Sequence, residues 1–551
     1  MRTFFNRKED IVSEAIDGLV AASGGRVVRF SPDSSARVVV RADWQKTEVA
    51  IISGGGSGHE PSHAGLVADG LLTAAVCGEV FASPSVDAVL GAIVAVTGEA
   101  GCLLVVKNYT GDRLNFGLAA EKAKALGLNV RMIIVADDLA TSGSQQPRGV
   151  AGTLFIHKVA GHLARAGASL DAIFTAVDQA RRSVITIGAA RDTCTLPGNP
   201  KQERIGPDEV EIGLGIHGEA GVEIAVPTSS GELIDDLVSR LIAHLKADSA
   251  YALIFNNLGG LSNLECLVLF SDLMKSALRP KIRYIAGPAS AMTALDMPGF
   301  SISLLEMTPE RDTFLTSPTE SPYFPQFVRL RDVAPITATQ VPSDTKVVAS
   351  TDSAVRAVVE IVIATCLGME AEINALDAKV GDGDTGSTFA GAARSVANVI
   401  DTLPFADGAA LFSALSDLKR KAMGGSSGVL FAIMMARSAE AYRQSKNWTA
   451  ALSEGLEAMQ QYGGAKPGDR TMIDALAPAL AALARGEDIA SAATLARQGA
   501  DATARMTRAN AGRSSYLDAR SLQGTVDPGA EAIARIFAAV AAVDGSGNRN
   551  Q

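Results

Sequence analysis

The chain has 551 residues, 47% of them hydrophobic and 20% charged, which is too long for one ordinary core and predicts two to four domains. A net charge of −10 leaves no basic surplus to neutralise phosphodiesters and so excludes nucleic acid as a partner, while anionic ligands can still be met locally by metal ions or helix N-termini. Five scattered cysteines with no CxxC pair, an opening MRTFFNRKEDIVSEAIDG that turns acidic before any apolar core, and no charge-free run of membrane-spanning length predict a soluble, cytoplasmic protein.

Through residue 335, β-branched runs (RVVVRA, EVAIIS, CLLVVKN, VRMIIVADD, YALIFNNL, KIRYIAG) alternate with helical stretches such as LNFGLAAEKAKALG. This alternation predicts an α/β domain over 1–335, in two lobes divided near 190–210, where CTLPGNPKQERIGPD carries Pro and Gly. After EVAIIS comes SGGGSGHEP, residues 53–61, a glycine-rich loop that invites a phosphate cradle and brings in Gly56 and His59. KNYTGDRLNFG supplies Lys107, Asn108 and Asp112, and GLGIHGEAG supplies His217. All stand at predicted strand ends or glycine turns, where α/β sheets place their ligands. The plain alternatives are a hydrogen-bonded loop histidine and a solvated loop. His63, His157, His162 and His244 fall in helical stretches and read as structural; a zinc site from His59, His63 and Asp112 lacks tight ligand spacing.

Residues 336–352 lack helical period, include Pro342, and read as a linker. Over 353–551 the texture becomes Ala-rich with apolar residues at i, i+3, i+4 and i+7, which predicts an all-helical domain. Within it NALDAKVGDGDTGST places Asp377, Asp382 and Asp384 around three glycines. Three carboxylates so close repel unless a cation sits among them, and hard oxygen ligands suit Mg²⁺. Capping of the next helix by Asp384 or Thr385 is the alternative, and it does not need three aspartates. In MGGSSGVL, Gly424, Ser426 and Gly428 match G-x-S-x-G, but a helix rather than a strand precedes them, against a hydrolase elbow. The loop is read either as a phosphate contact at a helix N-terminus or as a plain turn. No Gly-Lys dipeptide occurs, so no Walker A loop is available.

Together these motifs resemble dihydroxyacetone kinases. GGGSGHEP, CGEVFASPS, VVKNYTGDRLNFGLA, HKVAG and GIHGE are similar to that family's substrate domain. LDAKVGDGDTGSTF, MGGSSGVL, YGGAKPGDRTMIDAL, NAGRSSYL and DPGA are similar to its nucleotide-binding domain. Both on one polypeptide imply the ATP-dependent form. The resemblance implies that His217 bonds covalently to the ketone carbon as a hemiaminal, and that Asp112 is the acid/base with His59 its hydrogen-bonding partner. It also implies that Lys107 and the backbone of Gly56 complete the ketose contacts. Asp377, Asp382 and Asp384 match ligands of two Mg²⁺ ions. Asp384, Thr385, Gly386, Ser426, Ser427, Met472, Arg513, Asp527, Pro528 and Gly529 match positions around the nucleotide. An eight-helix antiparallel barrel, a homodimer and cytoplasmic location are further implications. Erythrulose or apulose in place of dihydroxyacetone, and an inactive ketose-binding regulator, are the rival readings.

Overall fold

The computed structural model describes the chain apart from residues 1–3, 31–36, 145, 202–203, 335, 337–347, 423–425, 512–514, 516–521 and 548–551, and apart from the side chains of 419–422, 426–427 and 544–547. It divides into two compact units, Met1–Pro335 and Ile336–Gln551.

The first unit holds two sheets. Strands β1 (Val27–Phe30), β2 (Arg37–Arg41), β3 (Ala50–Ser57), β4 (Ala74–Val80), β5 (Cys102–Lys107) and β6 (Val130–Val135) form the first, in the order β1-β2-β4-β3-β5-β6. Its β4-β3-β5-β6 part is parallel. Helices α1 (Ile11–Ala22), α2 (Val86–Val96), α3 (Thr110–Ala125), α4 (Thr153–Arg165) and α5 (Leu170–Arg181) belong with it. Every residue of β3 and β5 is buried, which is why these strands read as unbroken apolar runs rather than alternating ones.

The second sheet runs β13-β11-β10-β12-β7-β8-β9. Its strands are β7 (Val184–Ala190), β8 (Val210–Ile212), β9 (Glu223–Ala225), β10 (Tyr251–Asn257), β11 (Ile282–Ala289), β12 (Gly299–Glu306) and β13 (Val328–Arg329), with helices α6 (Ser230–Ile242), α7 (Asn263–Lys275) and α8 (Pro309–Thr316). The division near 190–210 needs correction. The second sheet already begins at Val184, so the Pro/Gly stretch is a loop between β7 and β8 inside it. The lobes meet instead at β6 and β7: the Asp137 carboxylate accepts from Val150 N (2.8 Å), Gly152 N (2.8 Å) and Thr186 Oγ1 (2.6 Å).

The second unit is all-helical: α9 (Ser353–Gly368), α10 (Glu370–Asp377), α11 (Thr385–Ala397), α12 (Gly408–Ala422), α13 (Ser426–Ser445), α14 (Trp448–Gly463), α15 (Ile473–Ala484), α16 (Ile489–Thr503) and α17 (Pro528–Gly547). Eight of them pack in a closed ring, α9-α11-α12-α13-α14-α15-α16-α17 and back to α9, with the short α10 against α11. Neighbours joined by short connections run antiparallel, and the start of α17 lies beside that of α15, where a Cβ at Gly529 would be 3.2 Å from Met472 Cβ. The N-termini of α11, α13, α15 and α17 therefore share one end of the barrel. Val359, Ile363, Phe389, Phe431, Leu452, Leu480 and Phe537 are among the apolar side chains that line its interior, around a cavity of about 580 Å³. No helix among the described residues is long and apolar enough to cross a membrane.

Candidate active site

The glycines of 54–58 are not a phosphate loop. Strand β3 continues through Ser57, and its glycines let backbone and side chains approach closely. A Cβ at Gly54 would stand 2.2 Å from Val76 O, and one at Gly56 would stand 2.7 Å from Ala82 N. At Gly55, with φ +143°, it would meet Lys107 Nζ at 3.0 Å and Asp112 Oδ2 at 3.2 Å. Glycine here makes room for a lysine and an aspartate delivered by the next βα unit, Lys107 as the last residue of β5 and Asp112 in the first turn of α3. The N-terminus of α3 favours the Asp112 carboxylate electrostatically.

Gly56, Phe81, Ser83, Tyr109, Thr110, Gly111, Asp112, His217 and Glu219 line one cavity of about 350 Å³. Ser83 donates a hydrogen bond to Asp112 Oδ1. Lys107, only 1% exposed, puts Nζ 2.6 Å from His63 Nε2 and 3.4 Å from Gly54 O. Burial lowers the Lys107 pKa, and the charge of Asp112 opposes that shift. Burial likewise holds His63 well below the ordinary histidine value, aided by the Lys107 charge. His63, read as structural from sequence, thus sits directly behind Lys107. His157 reaches Ser53 Oγ at 3.2 Å and is pushed down to about 3 by burial, His162 packs on Phe314, and His244 is exposed.

The two lobes meet at a pair of histidines. His59 is fully buried, and its Nδ1 lies 2.8 Å from Thr293 O. A carbonyl only accepts, so Nδ1 carries the proton and Nε2 presents a lone pair. That Nε2 is 3.1 Å from His217 Nε2. Burial first, then the nearby His217 and Lys107, keep His59 well below the ordinary histidine value and hence neutral. On its other side His217 Nδ1 is 3.0 Å from Glu219 Oε1. Burial opposes ionisation of Glu219, but the hydrogen bond and charge of His217 outweigh it and lower its pKa. Both ring partners of His217 are therefore acceptors, and in this arrangement the ring donates from both nitrogens. Tyr109 and Phe81 stand edge-on to the ring, with centroids 4.4 and 5.1 Å away.

The loop carrying His217 is strapped to the first lobe by Arg148. Its Nε is 2.7 Å from the buried Asp138 carboxylate, Nη2 donates to Gly213 O at 2.5 Å, and Nη1 to Ala220 O at 3.4 Å. Sequence reasoning passed over Ser83, Tyr109, Arg148 and Glu219. Ser83 and Tyr109 lie inside the quoted motifs, and Glu219 is the acid of GIHGE, so spacing to a known site residue is the signal that could have found them.

In the helical unit, Asp377, Asp382 and Asp384 offer ligand atoms all within 4.8 Å of one another. Asp377 is buried and the other two are exposed. The cap of α11 comes from neither Asp384 nor Thr385: the Asp377 Oδ2 accepts from Asp384 N at 3.0 Å and Thr385 N at 3.1 Å. A Cβ at Gly381 would sit 2.2 Å from Asp377 Oδ1, and one at Gly386 would sit 2.2 Å from Glu370 O, so the first glycine lets the turn close and the second lets α11 pack on α10. Three oxygen donors this close, two of them turned to solvent, form a fitting set for a hard divalent cation.

The other predicted nucleotide contacts cluster at the same barrel end. Ser426 and Ser427 open α13, Met472 precedes α15, and Pro528 opens α17. A Cβ at Gly529 would be 3.2 Å from both Met472 Cβ and Asp527 Oδ2, so these residues are neighbours. Asp527 is buried, accepts from Ala530 N at 2.9 Å, and is pushed up to about 6 by burial. Four helix N-termini at one barrel end, with the carboxylate cluster at the first of them, make an end suited to phosphate and metal together. Arg513 lies outside the described residues, as do Gly424 and Gly425.

A paired-histidine pocket beside an aspartate, on one polypeptide with a carboxylate cluster at helix N-termini, has the parts that a phosphoryl-transfer enzyme uses: a small polar pocket and an end fit for metal and phosphate. Residues 17–323 match the Dak1 domain and residues 379–542 the DAK2 domain. The chain is 45% identical over 543 residues to a dihydroxyacetone kinase of Citrobacter freundii, covering 98% of each, and 39% identical over 560 residues to a triokinase/FMN cyclase of Homo sapiens, covering 96% of each. The crystal structure of the Citrobacter freundii enzyme in complex with AMP-PNP and Mg²⁺ superposes with a TM-score of 0.79 at 43% identity, covering 98% of this chain and 99% of that one. The chain belongs to the dihydroxyacetone kinase family, in its single-chain form with both domains, and is a kinase.

Proposed function

We propose that this kinase moves the terminal phosphoryl group of ATP to a terminal hydroxyl of a short ketose, dihydroxyacetone first among them, while His217 holds the ketose as a hemiaminal. The observation that carries the reading is the line Glu219–His217–His59, of which Glu219 and His217 face a small cavity that Asp112 also lines. The His217 Nε2 proton passes to the His59 Nε2 lone pair, and the freed Nε2 pair bonds to the ketone carbon. The carbonyl π pair moves to oxygen, which takes the proton back from His59. Asp112 then accepts the proton of the hydroxyl being phosphorylated, with Lys107 and the backbone of Gly56 on the other ketose oxygens. Glycerol has no carbonyl to capture, so the histidine acts as a specificity device.

In the helical domain Asp377, Asp382 and Asp384 would hold two Mg²⁺ ions, which when bound neutralise phosphate charge. Thr385, Gly386, Ser426, Ser427, Met472, Arg513 and Asp527-Pro528-Gly529 would surround the nucleotide, a reading supported by the similar enzyme's complex with AMP-PNP and Mg²⁺. The working unit is proposed to be a cytoplasmic homodimer, which light scattering of the purified chain tests.

A kinetic panel of dihydroxyacetone, erythrulose, apulose and glycerol with ATP and Mg²⁺ tests the reading. The highest kcat/KM is expected for dihydroxyacetone, and phosphorylation of glycerol at a comparable rate would overturn the carbonyl-capture step. A second reading, another small ketose as substrate, is favoured by the cavity of about 350 Å³, a size that does not confine the ligand to three carbons. A higher kcat/KM with erythrulose or apulose selects it.

A further inference from the structure

We infer that Glu219 is the positioning residue of ketose capture: its carboxylate fixes the His217 ring and balances the charge that ring carries once bonded to substrate. The inference rests on the hemiaminal reading above and extends it to a residue outside the reacting pair.

The carboxylate is committed at both ends. Oε1 is 3.0 Å from His217 Nδ1, and Oε2 accepts the backbone N–H of His217 at 3.0 Å. One side chain thus holds both the ring and the peptide of the residue two positions before it. Its seat is built in: a Cβ at Gly215 would fall 1.9 Å from Glu219 Oε2, and Gly215 N donates to Glu219 O at 3.1 Å. Tyr109 and Phe81, standing edge-on, limit where the ring can turn, and the Nδ1 bond selects its rotation.

The charge bookkeeping of the addition step points to the same residue. The Nε2 proton leaves through His59 and ends on the former carbonyl oxygen, so the Nδ1 proton stays. The product is an Nε2-alkylated imidazolium whose remaining N–H faces Glu219. A carboxylate there offsets the cation before and after addition, so the bond to carbon forms without creating an unpaired charge in a half-buried site. Glutamine cannot do this. It lacks the charge, and it brings only one acceptor to a place that needs two.

The test compares Glu219→Gln with the parent full-length kinase, in binding titrations of dihydroxyacetone without ATP and of glycerol as the carbonyl-free analogue. Dihydroxyacetone affinity should fall by about 10- to 100-fold, the range produced by losing a carboxylate behind a functional histidine at metal centres. Glycerol affinity and the KM for ATP should stay the same. A merely structural role would weaken ketose and polyol alike, and equal losses overturn the proposal, as does an unchanged dihydroxyacetone affinity. Should Glu219→Gln not fold, Glu219→Asp keeps the charge but shortens the reach to His217 Nδ1, and the same ketose-selective loss is expected. His217→Ala separates the two levels. If it abolishes ketose capture while both other variants retain it, only the role of Glu219 falls; if it too leaves capture unchanged, the hemiaminal reading falls with it.

Discussion

Replacing Arg148 by Leu tests how the loop that carries His217 is held. Arg148 and Asp138 expose only 11% and 4% of their side chains, and the guanidinium also bonds the carbonyls of Gly213 and Ala220, which bracket His217. Removing one partner of such a pair strands the other charge in the interior, at about 3–5 kcal/mol. Asp138 keeps its bonds from Ala140 N and Thr141 Oγ1, and burial raises its pKa against the pull of Arg148. The two donors partly satisfy the stranded carboxylate and burial leaves it an escape by protonation, so the lower half of that range is expected at neutral pH. The chain has two tryptophans, Trp44 in the first unit and Trp448 in the second. Urea unfolding of a Trp448→Phe background, followed by Trp44 fluorescence, therefore reads the α/β unit alone. A shift below about 0.5 kcal/mol would refute the strut argument. So would a destabilised variant whose KM for ketose is unchanged, because the loop would then hold His217 without its strap.

Asp382→Ala should abolish turnover while dihydroxyacetone still binds in a titration without ATP; a fully active variant sinks the metal assignment. Gly386→Ala forces a methyl to within 2.2 Å of Glu370 O, and in a Trp44→Phe background should destabilise the helical unit by about 1–3 kcal/mol in denaturation followed by Trp448. Asp527, pushed up to about 6 from an unfolded value near 3.9, is protonated in the folded state over a window where the unfolded chain has released its proton. Its contribution is therefore full below about pH 4 and lost as pH rises through about 6, on the order of 3 kcal/mol. Asp527→Asn should lack that step when Trp448 unfolding is measured from pH 4 to 7, and identical profiles would show the carboxyl is not held neutral.

What could be read from sequence was whatever depends on local pattern. The change from β-branched runs to Ala-rich helical period marks the unit boundary, because fully buried strands and barrel helices differ in composition. Lys107 and Asp112 were visible because a βα unit places a strand's last residue and a helix's first turn at the same edge. What stayed hidden depends on contacts distant in sequence. Nothing local shows that Gly55 is a gap for Lys107 and Asp112, or that His63 backs Lys107, and the meeting of His59 with His217 spans 158 positions. The gathering of the starts of α11, α13, α15 and α17 at one end is a property of ring closure, which periodicity cannot report. The lobe boundary was misplaced because Pro and Gly mark loops within a sheet as readily as loops between domains.

The first unit has two sheets, yet a single cluster of buried side chains joins Val12 and Ile16 near its start, Leu154 and Phe155 in α4, Met292 and Met297 before β12, and Phe324 and Phe327 near its end. Leu214 and Ile216, immediately before His217, belong to the same cluster. The His217 loop is thus not a surface appendage able to fray by itself. Freeing it means uncovering side chains on which both sheets depend, so local opening at His217 is tied to the global unfolding of the unit. Placement of the His217 ring and resistance to denaturation are one property here, and a substitution in this core that loosens either one loosens both.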